Sequence, residues 1–68
     1  MTARADYTAM IEAADDWGPA DDDERRWFLA GWRDEADRRP NENRPPEETV
    51  AAVCAYYSGV IAARSEAA

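Results

Sequence analysis

The amino-acid sequence predicts a small all-α protein, an antiparallel three-helix bundle. Three observations carry that expectation. Breaks at Gly18-Pro19 and from Pro40 to Pro46 divide the chain into three segments. Each segment repeats its apolar residues at helical spacing. The charges at the segment ends follow the helix dipole, with acids early and arginines late in the second and third. The expected helices span approximately 3–16, 22–39 and 46–65.

In the first segment Tyr7, Met10, Ile11 and Ala14 fall on one helical stripe, Trp17 lies at its end, and Thr2 is placed to cap. The second opens on Asp21-Asp22-Asp23-Glu24 and closes on Arg38-Arg39. Phe28, Leu29, Trp32 and Ala36 form its core stripe. Asp21–Arg25, Asp22–Arg26, Asp34–Arg38 and Glu35–Arg39 each set an acid one turn before a base, a pairing worth a few tenths of a kcal/mol. In the third, Asn43 is placed to cap a helix starting near Pro45 or Pro46, with Glu47 and Glu48 in its first turn and Arg64 in its last. Val50, Val53, Cys54, Tyr57, Val60, Ile61 and Arg64 trace its main stripe. Ala51, Ala52, Ala55, Ala62 and Ala63 favour helix over the strand that Val53 to Ile61 would otherwise allow.

A chain of 68 residues holds one domain. At this size folding buries only about 60% of the unfolded surface, so stability is marginal. Cys54 is the single cysteine, which excludes an internal disulfide, and without histidine a tetrahedral zinc site lacks ligands. Oligomerisation or a partner is the remaining source of added stability. No signal-like or membrane-spanning apolar run is expected, and a lone reduced cysteine fits the cytoplasm. Abundant alanine, with arginine as the sole basic residue, suggests GC-rich coding and a bacterial or phage-infected host cell.

The chemistry available is narrow. With neither histidine nor lysine, and with Cys54 read as a packed core thiol, the chain offers no activated nucleophile and no tuned acid–base pair. No catalytic residue, metal or cofactor is expected. The acids from Asp15 to Glu24 do not follow the alternate spacing of a calcium loop. Trp27 and Trp32 among Arg25, Arg26 and Arg33 resemble a stacking surface for single-stranded nucleic acid, but the helical ion pairs consume that charge. A net charge of −7 disfavours direct nucleic-acid and membrane contact, and favours a protein partner with a basic surface.

Two surfaces are therefore candidates for binding. Asp15, Asp16, Asp21, Asp22, Asp23 and Glu24 crowd acid around one turn. Capping explains the last four. Asp15 and Asp16, at the unfavourable end of the first helix dipole, are left without a local reason. The second candidate is apolar: Ala52, Tyr56, Gly59 and Ala63 on the third helix, and Trp27, Ala30 and Gly31 on the second. A mid-helix glycine costs about 1 kcal/mol relative to alanine, so Gly31 and Gly59 imply close approach of another backbone. These stripes are either the contacts of a central helix with both neighbours or, through Trp27 and Tyr56, anchors for a homodimer or partner.

In size, charge and composition the chain resembles the DNA-mimic class of phage inhibitors, anti-CRISPR proteins among them. That resemblance implies an acidic inhibitor or adaptor occupying a basic, normally nucleic-acid-binding groove. The alternatives are a structural or regulatory homo-oligomer, or an antitoxin-like partner.

Overall fold

The computed structural model describes residues 6–46 and 49–67. Its elements are α1 (Asp6–Trp17), α2 (Asp22–Ala36) and α3 (Val50–Ala67), with no strand among the described residues. The all-α, three-helix class is the one the sequence predicts.

Each helix boundary has a local cause. Gly18 ends α1 in the left-handed region at φ 77°, donating to the Ala14 carbonyl at 3.4 Å, and Pro19 blocks continuation. The expected start of α1 at residue 3 and the Thr2 cap lie outside the described residues. Asp21 caps α2 from an extended backbone, its Oδ1 accepting from the Glu24 amide at 2.9 Å, while Glu24 Oε1 accepts from the Ala20 amide at 2.9 Å. This reciprocal arrangement satisfies donors that the first helical turn leaves open.

α2 stops at Ala36, short of the expected residue 39. Arg38 turns left-handed at φ 62° and donates to the Glu35 carbonyl at 3.2 Å, while Arg39 donates to the Asp34 carbonyl at 2.8 Å. Those two bonds make a Schellman stop with arginine where glycine is usual. α3 begins at Val50, later than expected, because Thr49 is its cap: Thr49 Oγ1 accepts from the Ala52 amide at 3.3 Å. Asn43 does not cap α3; it is drawn to α2 instead. Glu47 and Glu48 lie outside the described residues.

α1 and α2 form an antiparallel hairpin, closed across the turn by Arg25 Nη1 on Asp15 Oδ1 at 2.6 Å and by Trp17 stacked on Phe28 at 5.1 Å. α3 runs in the same sense as α2. Trp27 and Ala52 line one depression, Gly31 meets Tyr56, and Arg64 Nε bonds Glu35 Oε2 at 3.2 Å, so contacts advance together along both helices. The expected antiparallel order thus holds for α1 with α2 but not for α2 with α3. The reason is the connection, which is long enough to return along α2, with Asn43 reaching Asp34 and Pro46 beside Trp27.

The helix crossing centres on two glycines. A Cβ on Gly31 would overlap the Tyr56 carbonyl, with its carbon 2.8 Å away, and one on Gly59 would overlap the Phe28 carbonyl, with its carbon 2.9 Å away. The backbones touch, as the two mid-helix glycines implied, but they do so within one chain. Ala52, Ala55, Tyr56 and Ala63 are consequently buried beside Gly59. Met10, Ala14, Phe28, Trp32 and Ala63 make the main core cluster.

Several expected core positions lie elsewhere. On α3 the main stripe predicted from Val50, Cys54, Tyr57 and Ile61 faces solvent, with Val50 79% and Ile61 61% exposed; Val53 and Val60 are half-buried, and Arg64 is exposed. α3 is apolar nearly all round, so periodicity does not select its inner face; the close approach at Gly59 does, and it takes in Ala52, Ala55 and Ala63 together with the Tyr56 ring. Ile11 and Ala36 are likewise exposed rather than in the core.

Two stability measurements follow. Gly59→Ala should cost more than about 2 kcal/mol in urea unfolding, since a rigid carbonyl cannot yield to the new methyl. Arg38→Gly should stabilise by about 0.5–1 kcal/mol, raising the midpoint, because glycine adopts the left-handed stop without the Cβ penalty. An unchanged midpoint in either variant would contradict the helix crossing or the stop respectively.

Candidate interaction site

The turn between α1 and α2 folds two acidic runs onto one corner. Asp15 and Asp16 come from the end of α1, and Asp21, Asp22, Asp23 and Glu24 from the start of α2. The Arg25–Asp15 bond draws the runs together and neutralises Asp15 at the dipole's negative end. It also supplies the local reason for Asp15 that the sequence lacked. Asp21 and Glu24 are engaged in capping, and Asp23 pairs with Arg26 at 3.2 Å. Asp16 and Asp22 are exposed and have no hydrogen-bond or ion-pair partner among the described residues.

None of the four helical ion pairs expected at i,i+4 forms. Arg25 takes Asp15, Arg26 takes Asp23, Arg39 lies 3.8 Å from Glu42, and Glu35 takes Arg64. Exposed i,i+4 pairs are worth so little that cross-helix partners displace them at Arg25 and Glu35, and i,i+3 partners at Arg26 and Arg39. Arg38 and Arg39 have in addition left the helix, so neither is in register with an acid one turn back. Arg26, Arg33, Arg39 and Arg44 instead line a groove beside Trp27, between α2 and the following connection, interleaved with Asp37 and Glu42.

The apolar candidates are corrected. Gly31, Tyr56 and Gly59 are buried between α2 and α3 and are not available to a partner or a second copy. Trp27 is half-buried and lines a depression with Pro46, Thr49 and Ala52, with the Arg26 guanidinium 5.7 Å from its ring centre. Cys54, expected in the core, is exposed. The apolar surface that does face solvent is the opposite stripe of α3.

Sequence reasoning missed one polar centre. Asp34, 2% exposed, accepts from the Tyr56 hydroxyl at 2.6 Å and from the Asn43 amide and Nδ2, each at 2.7 Å. The Tyr56 oxygen in turn accepts from the Asn41 amide at 3.0 Å, and the Tyr57 hydroxyl donates to Asn41 Oδ1 at 3.1 Å. Asn41 is left-handed at φ 67°, a conformation asparagine tolerates. A buried acceptor with three donors costs little, and no described buried side-chain polar atom lacks a partner. The signal in the sequence was an aspartate flanked by apolar helix faces, masked by its apparent pairing with Arg38. Burial, and next the bond to Asp34, push the Tyr56 hydroxyl up from 10.0 to about 12.

Among the described residues no group of three His, Cys, Asp or Glu is placed to hold a metal ion, and no helix is long and apolar enough to cross a membrane. Comparison with protein-family models, curated proteins and solved structures returns no match.

The Tyr56 hydroxyl gives a prediction with a defined pH window. Tyr56→Phe leaves the Asn41 amide unpaired and should cost about 1–3 kcal/mol at neutral pH. From pH 10.0 to about 12 the folded state keeps the Tyr56 proton while the unfolded chain releases it. This stabilisation is therefore complete below pH 10.0 and is lost as pH rises through about 12, by up to about 1.4 kcal/mol per unit. The stability gap between wild type and Tyr56→Phe should narrow across that window in denaturant titrations. A gap independent of pH there would show that Tyr56 ionises normally.

Proposed function

We propose that this chain is a non-enzymatic inhibitor or adaptor that docks its acidic corner on a basic, normally nucleic-acid-binding, surface of a protein partner in the cytoplasm of a bacterium or phage-infected cell. The supporting observation is the convergence of two acidic runs across the α1–α2 turn, with Asp16 and Asp22 exposed and unpaired among the described residues. The Asp21–Glu24 cap and the Arg25–Asp15 ion pair fix the turn from which Asp16 and Asp22 project, so that unpaired negative charge is gathered at one corner, as it is along a phosphate backbone. A net charge of −7 supplies long-range steering toward basic surfaces. The arginines of the groove beside Trp27 alternate with acids, so a basic stripe for nucleic acid is not what that side offers.

Capture from host extract on immobilised chain tests this reading. The retained protein should be displaced by duplex DNA and should lose affinity by about tenfold or more between 50 and 300 mM salt. The Asp16→Asn, Asp22→Asn, Asp23→Asn triple variant, which leaves the Asp21–Glu24 cap and the Asp15 bond in place, should retain little of it. Capture indifferent to salt and to these substitutions would overturn the proposal.

A further inference from the structure

The outer face of α3 carries a row of apolar side chains that the core leaves exposed, with the Tyr57 hydroxyl engaged on Asn41 Oδ1. Val50 is 79% exposed, Tyr57 38% and Ile61 61%, and with exposed Cys54 they fall at i, i+4, i+7 and i+11, one stripe over three turns. Among the described residues the remaining exposed large hydrophobic is Ile11, on α1. Single exposed hydrophobics are ordinary, whereas a continuous row marks an interface.

Charge decides what covers it. The chain carries −7, yet from Val50 to Ser65 α3 contains no acid, and its one base, Arg64, is held by Glu35 of the same chain. A basic partner finds no carboxylate on this face to pair with. Two copies of an acidic chain, which repel through the rest of their surface, can meet here without opposing carboxylates. We infer that the Val50–Cys54–Tyr57–Ile61 stripe is a homodimer surface, on which α3 of a second copy packs antiparallel.

The stripe is self-complementary in that direction. A two-fold axis between Cys54 and Tyr57 sets Val50 opposite Ile61 of the second copy and Cys54 opposite its Tyr57, so every position meets an apolar mate and thiol meets ring. Antiparallel pairing also opposes the two helix dipoles. A helix of 18 residues is about 27 Å long, so one helix pair buries less than the roughly 1,200 Å² of standard stable interfaces. The dimer is therefore weak and reversible, with a dissociation constant on the order of 10–100 μM.

Sedimentation equilibrium of the full chain from about 5 μM to 1 mM tests this. Wild type should pass from monomer to dimer, and added salt should tighten the dimer by screening repulsion between copies. Val50→Glu and Ile61→Arg should each weaken association at least about tenfold with helical circular dichroism unchanged, since both positions are exposed. The double variant Val50→Glu, Ile61→Arg should recover dimer at low salt, because only antiparallel pairing sets 50 against 61 of the other copy. A wild-type chain monomeric at 1 mM in high salt overturns the surface; a wild-type dimer without recovery in the double variant overturns the antiparallel register. The Asp16, Asp22, Asp23 triple variant should dimerise as wild type or more tightly, so the dimer stands or falls apart from the acidic corner.

Discussion

Two helices can press backbone on backbone only where neither interposes a Cβ, and α2 and α3 meet that condition at Gly31 and Gly59. Most of the molecule's other features follow from this contact. Once the carbonyls of Tyr56 and Phe28 occupy the space a methyl would need, only small side chains fit alongside, which accounts for the burial of Ala52, Ala55 and Ala63. Close approach increases the dispersion contacts made by every neighbouring atom, so a face poor in large hydrophobics can still hold two helices together. On the far side of α3, away from this contact, Val50, Tyr57 and Ile61 are turned to solvent.

The crossing also fixes the polar interior. Tyr56 lies beside the glycine contact, so its ring is fully enclosed and its hydroxyl is delivered to Asp34 on the neighbouring helix. Asp34 then organises the connection after α2, whose described residues lie in neither helix nor strand: Asn43 and Asn41 are tied to the Asp34–Tyr56 pair. A loop that would otherwise cost conformational entropy is ordered by side-chain hydrogen bonds, in a chain without a disulfide. Same-sense packing of α2 and α3 depends on this returned loop, because a short link would have forced an antiparallel pair.

Legibility in the sequence tracked how local each determinant is. The Gly18-Pro19 stop and the Asp21 cap are set by residues within one turn, and both stand where the sequence places them. Gly31 and Gly59 announced a close backbone contact but not with whom, since a helix buried against its own chain and one buried against a second copy have the same composition. The inner face of α3 was not legible, because a helix apolar nearly all round has no preferred side until its neighbour's shape is known. Asp34 was misread for a related reason: an acid one turn before an arginine looks solvent-paired, and only the turn away from helix at Arg38 reveals otherwise. Of the candidate surfaces, the acidic corner was readable because its residues are sequence neighbours.

Acidic and apolar surfaces are segregated onto different elements. The acids of the corner come from α1 and the start of α2, whereas α3 is free of them from Val50 to Ser65. Segregation matters because the two proposed contacts would respond oppositely to salt: screening weakens electrostatic steering by an acidic corner and relieves the repulsion between two acidic copies. Pairing through α3 leaves both acidic corners uncovered, so a dimer would present two copies of the same charged array. Two linked arrays convert the second docking event into an intramolecular one on any partner with repeated basic sites, raising avidity without a new contact. On the proposed function and the proposed dimer, weak self-association raises the effective valence of the chain as its concentration rises.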